Sequence, residues 1–294
     1  MTVQFKKKTL GRGIEWCDET RNPIGGCVHG CQWLMPDGTI AECYAENLAE
    51  HGVAKAGYPH GFEHHYWRPK ELKNLGAGKT PRIIFSGSMS DMYAHAVPPE
   101  QVRAVLDAMR GAPHHSYLTL TKAAPQLLKY TDRMPPNLWV GVSSPPDWFL
   151  GKRLSRQQQI AMLRKSMEVL TEIKKRTGNI VWLSAEPLSW DVTNVIGDDH
   201  PLDWCVIGAA SNGKKYYQPE VGDVANLLRV MDESRTPVFF KGNLNPLINE
   251  NASLGRWRED FPLCYRDGSQ IPAVVERQKR CDALGWTRIS LPLV

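Results

Sequence analysis

Residues 82–122 read RIIFSGSMSDMYAHAVPPEQVRAVLDAMRGAPHHSYLTLTK, and their pattern decides the fold. The run 82–86 is apolar and of strand length, and it breaks into the polar sequence Ser86-Gly87-Ser88-Met89-Ser90-Asp91. Pro98-Pro99-Glu100 makes a sound helix start, because proline is tolerated in the first turn and an acid suits the positive end of the helix dipole. The pattern that follows predicts a helix over 99–110. A second apolar run, 116–121, ends in Thr121-Lys122. Strands that are apolar nearly throughout, separated by a helix, belong to a parallel sheet covered on both faces.

The same rhythm extends in both directions. Apolar runs at 138–143, 180–184, 204–208 and 238–241 alternate with helical patterns that include 156–176 and 219–233, and residues 14–18 read as a short first strand. The expected class is α/β, a partial or nearly closed parallel (β/α) barrel of six to seven strands. Later strands also end in polar residues, at Ser143-Ser144, Glu186, Ala209-Ala210-Ser211-Asn212 and Lys241-Gly242-Asn243. In such a barrel the chemistry gathers at the C-terminal strand ends. Any single one of these residues can equally be a helix cap. The expected organisation is a basic N-terminal arm at 1–13 (Lys6, Lys7, Lys8, Arg12), the barrel at 14–245, and a C-terminal extension at 246–294 that caps it.

Across the 294 residues, a hydrophobic content of 42% is enough for a substantial core. No apolar run reaches membrane-spanning length, and the opening MTVQFKKKTLGRG lacks the apolar core of a signal peptide. Seven cysteines, an odd number, do not suit a disulfide framework and fit a reducing compartment. A cytoplasmic protein with no membrane partner is expected. A net charge of +5 suits a polyanionic partner and, equally, plain solubility.

The chain's chemistry concentrates in residues 25–47, GGCVHGCQWLMPDGTIAECYAEN, with a helix-forming run from Tyr44. Three thiols in one segment, Cys27, Cys31 and Cys43, suggest a soft metal centre of zinc, copper(I) or iron–sulfur type. The C-x3-C spacing does not choose among these. A closed structural zinc site needs four ligands, and no second cysteine pair follows at ribbon distance. Three cysteines on a four-iron cluster leave one iron open to a small molecule.

IEWCDETRNPIGGC and CYAENLA, then IIFSGSMSDMY, LTLTK, LWVGVSS, LSAEPL and WCVIGAASNG with PVFFKGN, resemble in order a phage-associated radical S-adenosylmethionine (SAM) family. That family is known mostly as bacteriophage proteins of unassigned function, distantly similar to spore photoproduct lyase, and the resemblance spans roughly residues 14–245. It implies a radical SAM barrel with a 4Fe-4S cluster on Cys27, Cys31 and Cys43. SAM would chelate the fourth iron and be cleaved to a 5′-deoxyadenosyl radical that removes a hydrogen atom from an unactivated carbon. On family order and strand-end position, Ser86-Gly87-Ser88 would hold the SAM amino group, Lys122 its carboxylate, Ser143 the ribose, and Gly208-Ala209 the adenine, with Tyr44 beside the cluster. Asp91, Tyr93, Glu186 and Lys241 are the candidates for orienting substrate.

The implied substrate is a modified base in DNA, a hypermodified thymidine, with rearrangement (an isomerase) or functionalisation of its substituent. A monomer served by a reductant such as flavodoxin or ferredoxin is expected. The alternatives are a radical SAM enzyme acting on a small molecule, peptide or RNA, and a zinc-stabilised, non-catalytic nucleic-acid-binding protein. One departure from the family is plain. Its usual spacing is C-x3-C-x2-C, whereas eleven residues (32–42) separate Cys31 from Cys43 here. The turn signal Pro36-Asp37-Gly38 predicts that this insertion loops out and returns Cys43 to its place; the alternative is an altered cluster.

Other residues carry weaker signals. Cys17 reads as a buried strand cysteine before it reads as a ligand. His29 reads as a supporting neighbour of the thiolates. His60, His64 and His65 lack metal-site spacing, and the aromatic segment 58–67 suits either a loop over the barrel mouth or a wedge or platform for a base. Trp257, Arg258, Tyr265, Arg266, Arg277, Lys279, Arg280, Trp286 and Arg288 in the extension suit nucleic-acid contact or a cap with solvated arginines. Cys264 and Cys281 lack paired partners, so a second cluster is not expected there.

Overall fold

The computed structural model describes residues 14–212 and 215–283. Its main sheet contains β1 (Glu19–Arg21), β2 (Ile83–Ser86), β3 (Ser116–Thr121), β4 (Leu138–Ser143), β5 (Ile180–Ala185), β6 (Trp204–Ile207) and β7 (Val238–Phe240). These seven strands lie side by side in sequence order, each parallel to the next, and β1 does not pair with β7. The architecture is an α/β partial barrel, as the alternating pattern predicts. The α-helices of seven residues or more are α1 (Tyr44–Glu50), α2 (Pro99–Arg110), α3 (Arg156–Thr177), α4 (Val221–Glu233) and α5 (Pro272–Ala283). The third is bounded by its own chemistry. Ser155 and Gln158 form a reciprocal capping box at its start, and Gly178, at φ 72, closes its end.

Strand alternation sorts the core into two layers. Ile84, Val140, Leu183 and Ile207 face outward and pack with Val105 and Leu106 of α2, Leu170 of α3 and Leu227 of α4. Phe85, Leu118, Trp139, Trp182, Trp204 and Phe239 face inward. The indoles fill the barrel's lower half, and Trp182 lies across Gly141, where a Cβ would sit only 2.4 Å from the ring. The base of the barrel is therefore solid, and the polar strand ends stand above it.

The first strand falls later than the sequence suggests. Residues 14–18 are not extended; Trp16 inserts among the inward aromatics, with ring centroids 4.7 Å from Phe85 and 5.2 Å from Trp182. Asp18 accepts the Ile83 N–H, and β1 is the polar triplet that follows. The apolar character of Trp16-Cys17 marks burial inside the barrel, not a place in the sheet.

The described part of the C-terminal extension closes the base. Phe261 stacks on Trp204 at 5.1 Å, Glu259 bridges Phe239 on the exposed edge of β7, and the buried Arg277 pairs with Asp18 at 2.9 Å. This end lies opposite the polar strand ends. Trp286, Arg288 and the arm at 1–13 lie outside the described residues.

Candidate functional site

The cysteine loop is laid across the segment that follows β2. Gly26 donates its N–H to the Met89 carbonyl, and Cys27 donates to that of Phe62. Gly26 sits at φ 85, and a Cβ there would lie 1.8 Å from the His64 oxygen, so no other residue fits. The insertion after Cys31 is a hairpin, Gln32–Leu34 against Ile40–Glu42. Its first pair is Gln32↔Glu42, so Cys31 and Cys43 flank its base. The hairpin is not loose. It joins Trp148–Phe149 and Lys152–Arg153 in a four-stranded sheet, and its tip meets the Tyr217 hydroxyl through Thr39 and Asp37. The insertion thus becomes a roof beside the barrel mouth.

Beneath it is a cavity lined by Cys27, His29, Cys31, Cys43 and Tyr44 from the loop. Gly87, Ser88 and Asp91 after β2, Thr121 and Lys122 at the end of β3, and Ser143 of β4 complete the wall. Burial pushes the Cys31 thiol up to about 12, against the pull of Lys122, and raises Cys27 as well. No three His, Cys, Asp or Glu side chains among the described residues are grouped closely enough to hold one metal ion.

The wall is held by its own hydrogen bonds. Gly87, at φ 95, has a backbone that L side chains rarely adopt. Tyr44 donates its hydroxyl to the Ser88 carbonyl, and the Asn22 side chain bonds both Ser88 and the Met89 N–H. Asp91 accepts the Thr121 hydroxyl, the Lys122 N–H and the Tyr93 N–H, and faces His29 Nδ1 at 3.5 Å. His29 packs against Phe149 and points to Asp91. The Lys122 amine lies 5.6 Å from the Trp33 ring centre and forms no ion pair with a carboxylate among the described residues.

Other expected site residues lie elsewhere. Glu186 and Lys241 form a pair of their own, 3.1 Å apart, inside the barrel above β5 and β7. The Trp16 indole N–H and the Ser184 hydroxyl also donate to Glu186. Burial works against the charge on Lys241, but Glu186 and Glu15 outweigh it and raise the pKa of the amine. A Cβ on Gly208 would meet Glu186 Cγ at 3.0 Å, so this glycine makes room for the pair. Ala209 is clamped through both backbone groups by the Asn243 amide. Gly208 and Ala209 do not line the cysteine cavity. Tyr93 is buried in the core, its hydroxyl against Thr119.

The segment 58–67 turns its aromatics inward. Tyr58 and Phe62 are buried, Phe62 reaches the cavity wall, and Arg68 lies over Tyr58 and Tyr66. His60, His64 and His65 are exposed and hold no metal-site geometry. In the extension, Arg256, Arg258, Arg277 and Arg280 are each paired with an aspartate, which leaves them poorly placed for phosphates. Asn22 and Trp33 escape sequence reasoning. Asn22-Pro23 signals only a turn, and Trp33 lies inside the insertion.

No curated protein matches this chain. Among solved structures it is similar to spore photoproduct lyase in a double-mutant form with bound AdoMet and dinucleoside spore photoproduct, at 9% identity and TM-score 0.45 over 75% of each chain. It is also similar to that lyase complexed with the dinucleoside photoproduct, at 9% identity and TM-score 0.44 over 74% of this chain and 75% of the other. A single-mutant form gives 9% identity and TM-score 0.46, over 82% and 80%. Likeness at that level says nothing about chemistry. The profile of the family described as "Protein of unknown function (DUF5131)" matches residues 11–246, most of the chain, and the protein belongs to that family.

Proposed function

We propose that this protein is a radical SAM enzyme, of phage or bacterial origin, that rearranges or functionalises a substituent on a modified base in DNA. One observation carries the reading. Cys27, Cys31 and Cys43, the last arriving across a hairpin, line one cavity with Gly87, Ser88, Lys122 and Ser143 at parallel strand ends. The donor set suits a 4Fe-4S cluster. Thiolates favour soft metals, and three of them fall short of the four ligands of a closed zinc site. Cys27, Cys31 and Cys43 would hold the cluster and leave one iron for SAM. Together these cofactors, when bound, supply one-electron chemistry at an unactivated carbon.

The chain's own residues bind, orient and exclude water. Lys122, without a carboxylate partner among the described residues, suits the SAM carboxylate. Ser86-Gly87-Ser88 suits its amino group and Ser143 its ribose. Gly208 and Ala209, outside the cysteine cavity, would hold the adenine on the motif resemblance alone. Glu186 and Lys241, in the other half of the mouth, would orient the substrate, and Asp91 and Tyr93 would act by holding the wall. A DNA substrate is supported by the motif resemblance, by the net charge of +5 and by exposed cations beside the roof. Electrons would come from a protein such as flavodoxin or ferredoxin.

The test is to incubate the reduced, reconstituted protein with SAM and DNA containing modified thymidine, then digest to nucleosides for mass spectrometry. A nucleoside of changed retention, with 5′-deoxyadenosine formed or SAM recycled, is expected. Cleavage of SAM with every nucleoside unchanged would remove DNA as the substrate. No SAM cleavage together with every nucleoside unchanged would remove the radical chemistry.

A further inference from the structure

Trp148–Phe149 and Lys152–Arg153 form a hairpin joined by two residues only, Leu150 and Gly151. Both are left-handed, at φ 52 and φ 71. Two-residue hairpins of this kind need positive φ at both central positions, which is why Asn-Gly is the common choice. Glycine meets that demand freely; leucine is strained there. Strain of this sort persists where the surroundings impose it and gathers at functional sites. Leu150 gains little from burial in return, since it is 54% exposed.

The tip is fixed at the mouth of the cysteine cavity. Leu150 donates its N–H to the His29 carbonyl at 2.7 Å, and Phe149 packs on the His29 ring. Lys152 and Arg153 flank the tip, both exposed, with the Arg153 guanidinium 5.2 Å from the Trp148 ring centre. The nearby Asp147 is occupied by the Leu34 N–H and the Gln159 amide. Glu46 and Glu50 on α1, with Glu63 and with Glu42 of the neighbouring strand in the same sheet, form an acidic group; burial and then the repulsion of these carboxylates raise the Glu46 pKa. A polyanion is drawn to the exposed Lys152 and Arg153 rather than to this acidic group.

We propose that this hairpin is a wedge for duplex DNA, with Leu150 entering the base stack and Lys152 and Arg153 holding the flanking phosphates. The proposal rests on the nucleic-acid reading above. A base in a duplex must leave the stack to reach an enclosed site, and apolar side chains inserted at a base step are a known way to open it. The placement also explains a leucine where the backbone prefers Asn or Gly.

The test uses the full chain with a short duplex carrying 2-aminopurine beside a central thymine, and with the matching single strand. Wild-type protein should raise the 2-aminopurine fluorescence of the duplex. Leu150→Gly, which relieves the backbone and so should fold at least as well, should abolish that rise while changing duplex affinity by less than about threefold and leaving single-strand affinity unchanged. Lys152→Ala with Arg153→Ala should weaken duplex binding roughly tenfold or more and lower the salt slope by about 2. An undiminished fluorescence rise in Leu150→Gly, no rise in wild type that binds the duplex, or an unchanged salt slope in the double variant would overturn the wedge and leave a nucleic-acid substrate standing. Wild-type protein that binds neither strand form would overturn both.

Discussion

Replacing Asp91 with alanine separates a chemical from a structural role for this carboxylate at the cavity wall. The carboxylate takes three donors: the Thr121 hydroxyl at 2.8 Å, the Lys122 N–H at 2.9 Å and the Tyr93 N–H at 3.1 Å. The hydroxyl can turn to another acceptor after truncation, but the two amides cannot. Each buried amide left unpaired costs about 1–3 kcal/mol, so the pair costs roughly 2–6 kcal/mol. Water entering from the adjoining cavity repays part of this for Lys122, which places the expected loss near 3 kcal/mol. At about 2 °C per kcal/mol for a chain of this size, the melting temperature should fall by roughly 6 °C. Thermal unfolding followed by circular dichroism, with SAM turnover measured on the same preparation, reads both effects. A variant that melts with wild type yet has lost turnover would show that Asp91 acts on the reactants and that its hydrogen bonds carry little of the wall's stability.

Lys122→Met should leave folding and iron content unchanged and weaken SAM binding about tenfold or more, as expected for losing a charge-assisted hydrogen bond, measured by equilibrium binding to reconstituted protein. Gly141→Ala forces a methyl to within 2.4 Å of the Trp182 ring and 2.8 Å of the Thr119 carbonyl. It should cost about 1–3 kcal/mol or more and disturb the near-ultraviolet circular dichroism of the indole layer; an unchanged spectrum and melting point would deny that packing. His115 is fully buried and accepts the Arg82 N–H, and burial together with His114 holds its pKa below the usual range. Below about pH 6.5 the unfolded chain takes a proton that the native imidazole resists, so stability is complete above that value and declines as the pH falls toward the lowered native pKa. Urea unfolding near neutrality and at about pH 5.5 should show this decline, and His115→Asn should flatten it.

Much of the fold was legible because parallel strands buried on both faces announce themselves. The runs 116–121 and 138–143 and the helix 99–110 coincide with β3, β4 and α2. Residues 14–18 misled because an apolar pair looks the same inside a barrel as inside a sheet. The site was legible in half. Thiol spacing and the Gly87 loop depend on local sequence, and both line the cavity. The turn at Pro36-Asp37-Gly38 foretold that Cys43 returns to Cys31. It did not foretell that the hairpin would join residues 148–153, because that contact depends on strands more than a hundred residues apart. Glu186 and Lys241 were each expected to orient substrate but not to pair with one another, since their meeting requires β5 and β7 to flank β6. The aromatics at 58–67 left a loop over the mouth and a platform for a base equally open, because composition does not say which way a ring faces. Nor does composition tell which end of a barrel an extension will close, or which of its arginines are already paired.

The central claim is that three thiols from one loop hold an iron–sulfur centre, and anaerobic reconstitution with iron and sulfide tests it most directly. Wild-type protein should turn brown and carry about four irons, and Cys27→Ala, Cys31→Ala and Cys43→Ala should each lose most of them. Cys17→Ala, Cys205→Ala and Cys281→Ala should keep the wild-type count. A colourless wild-type protein, or a Cys43→Ala variant that binds iron as wild type does, would contradict the account.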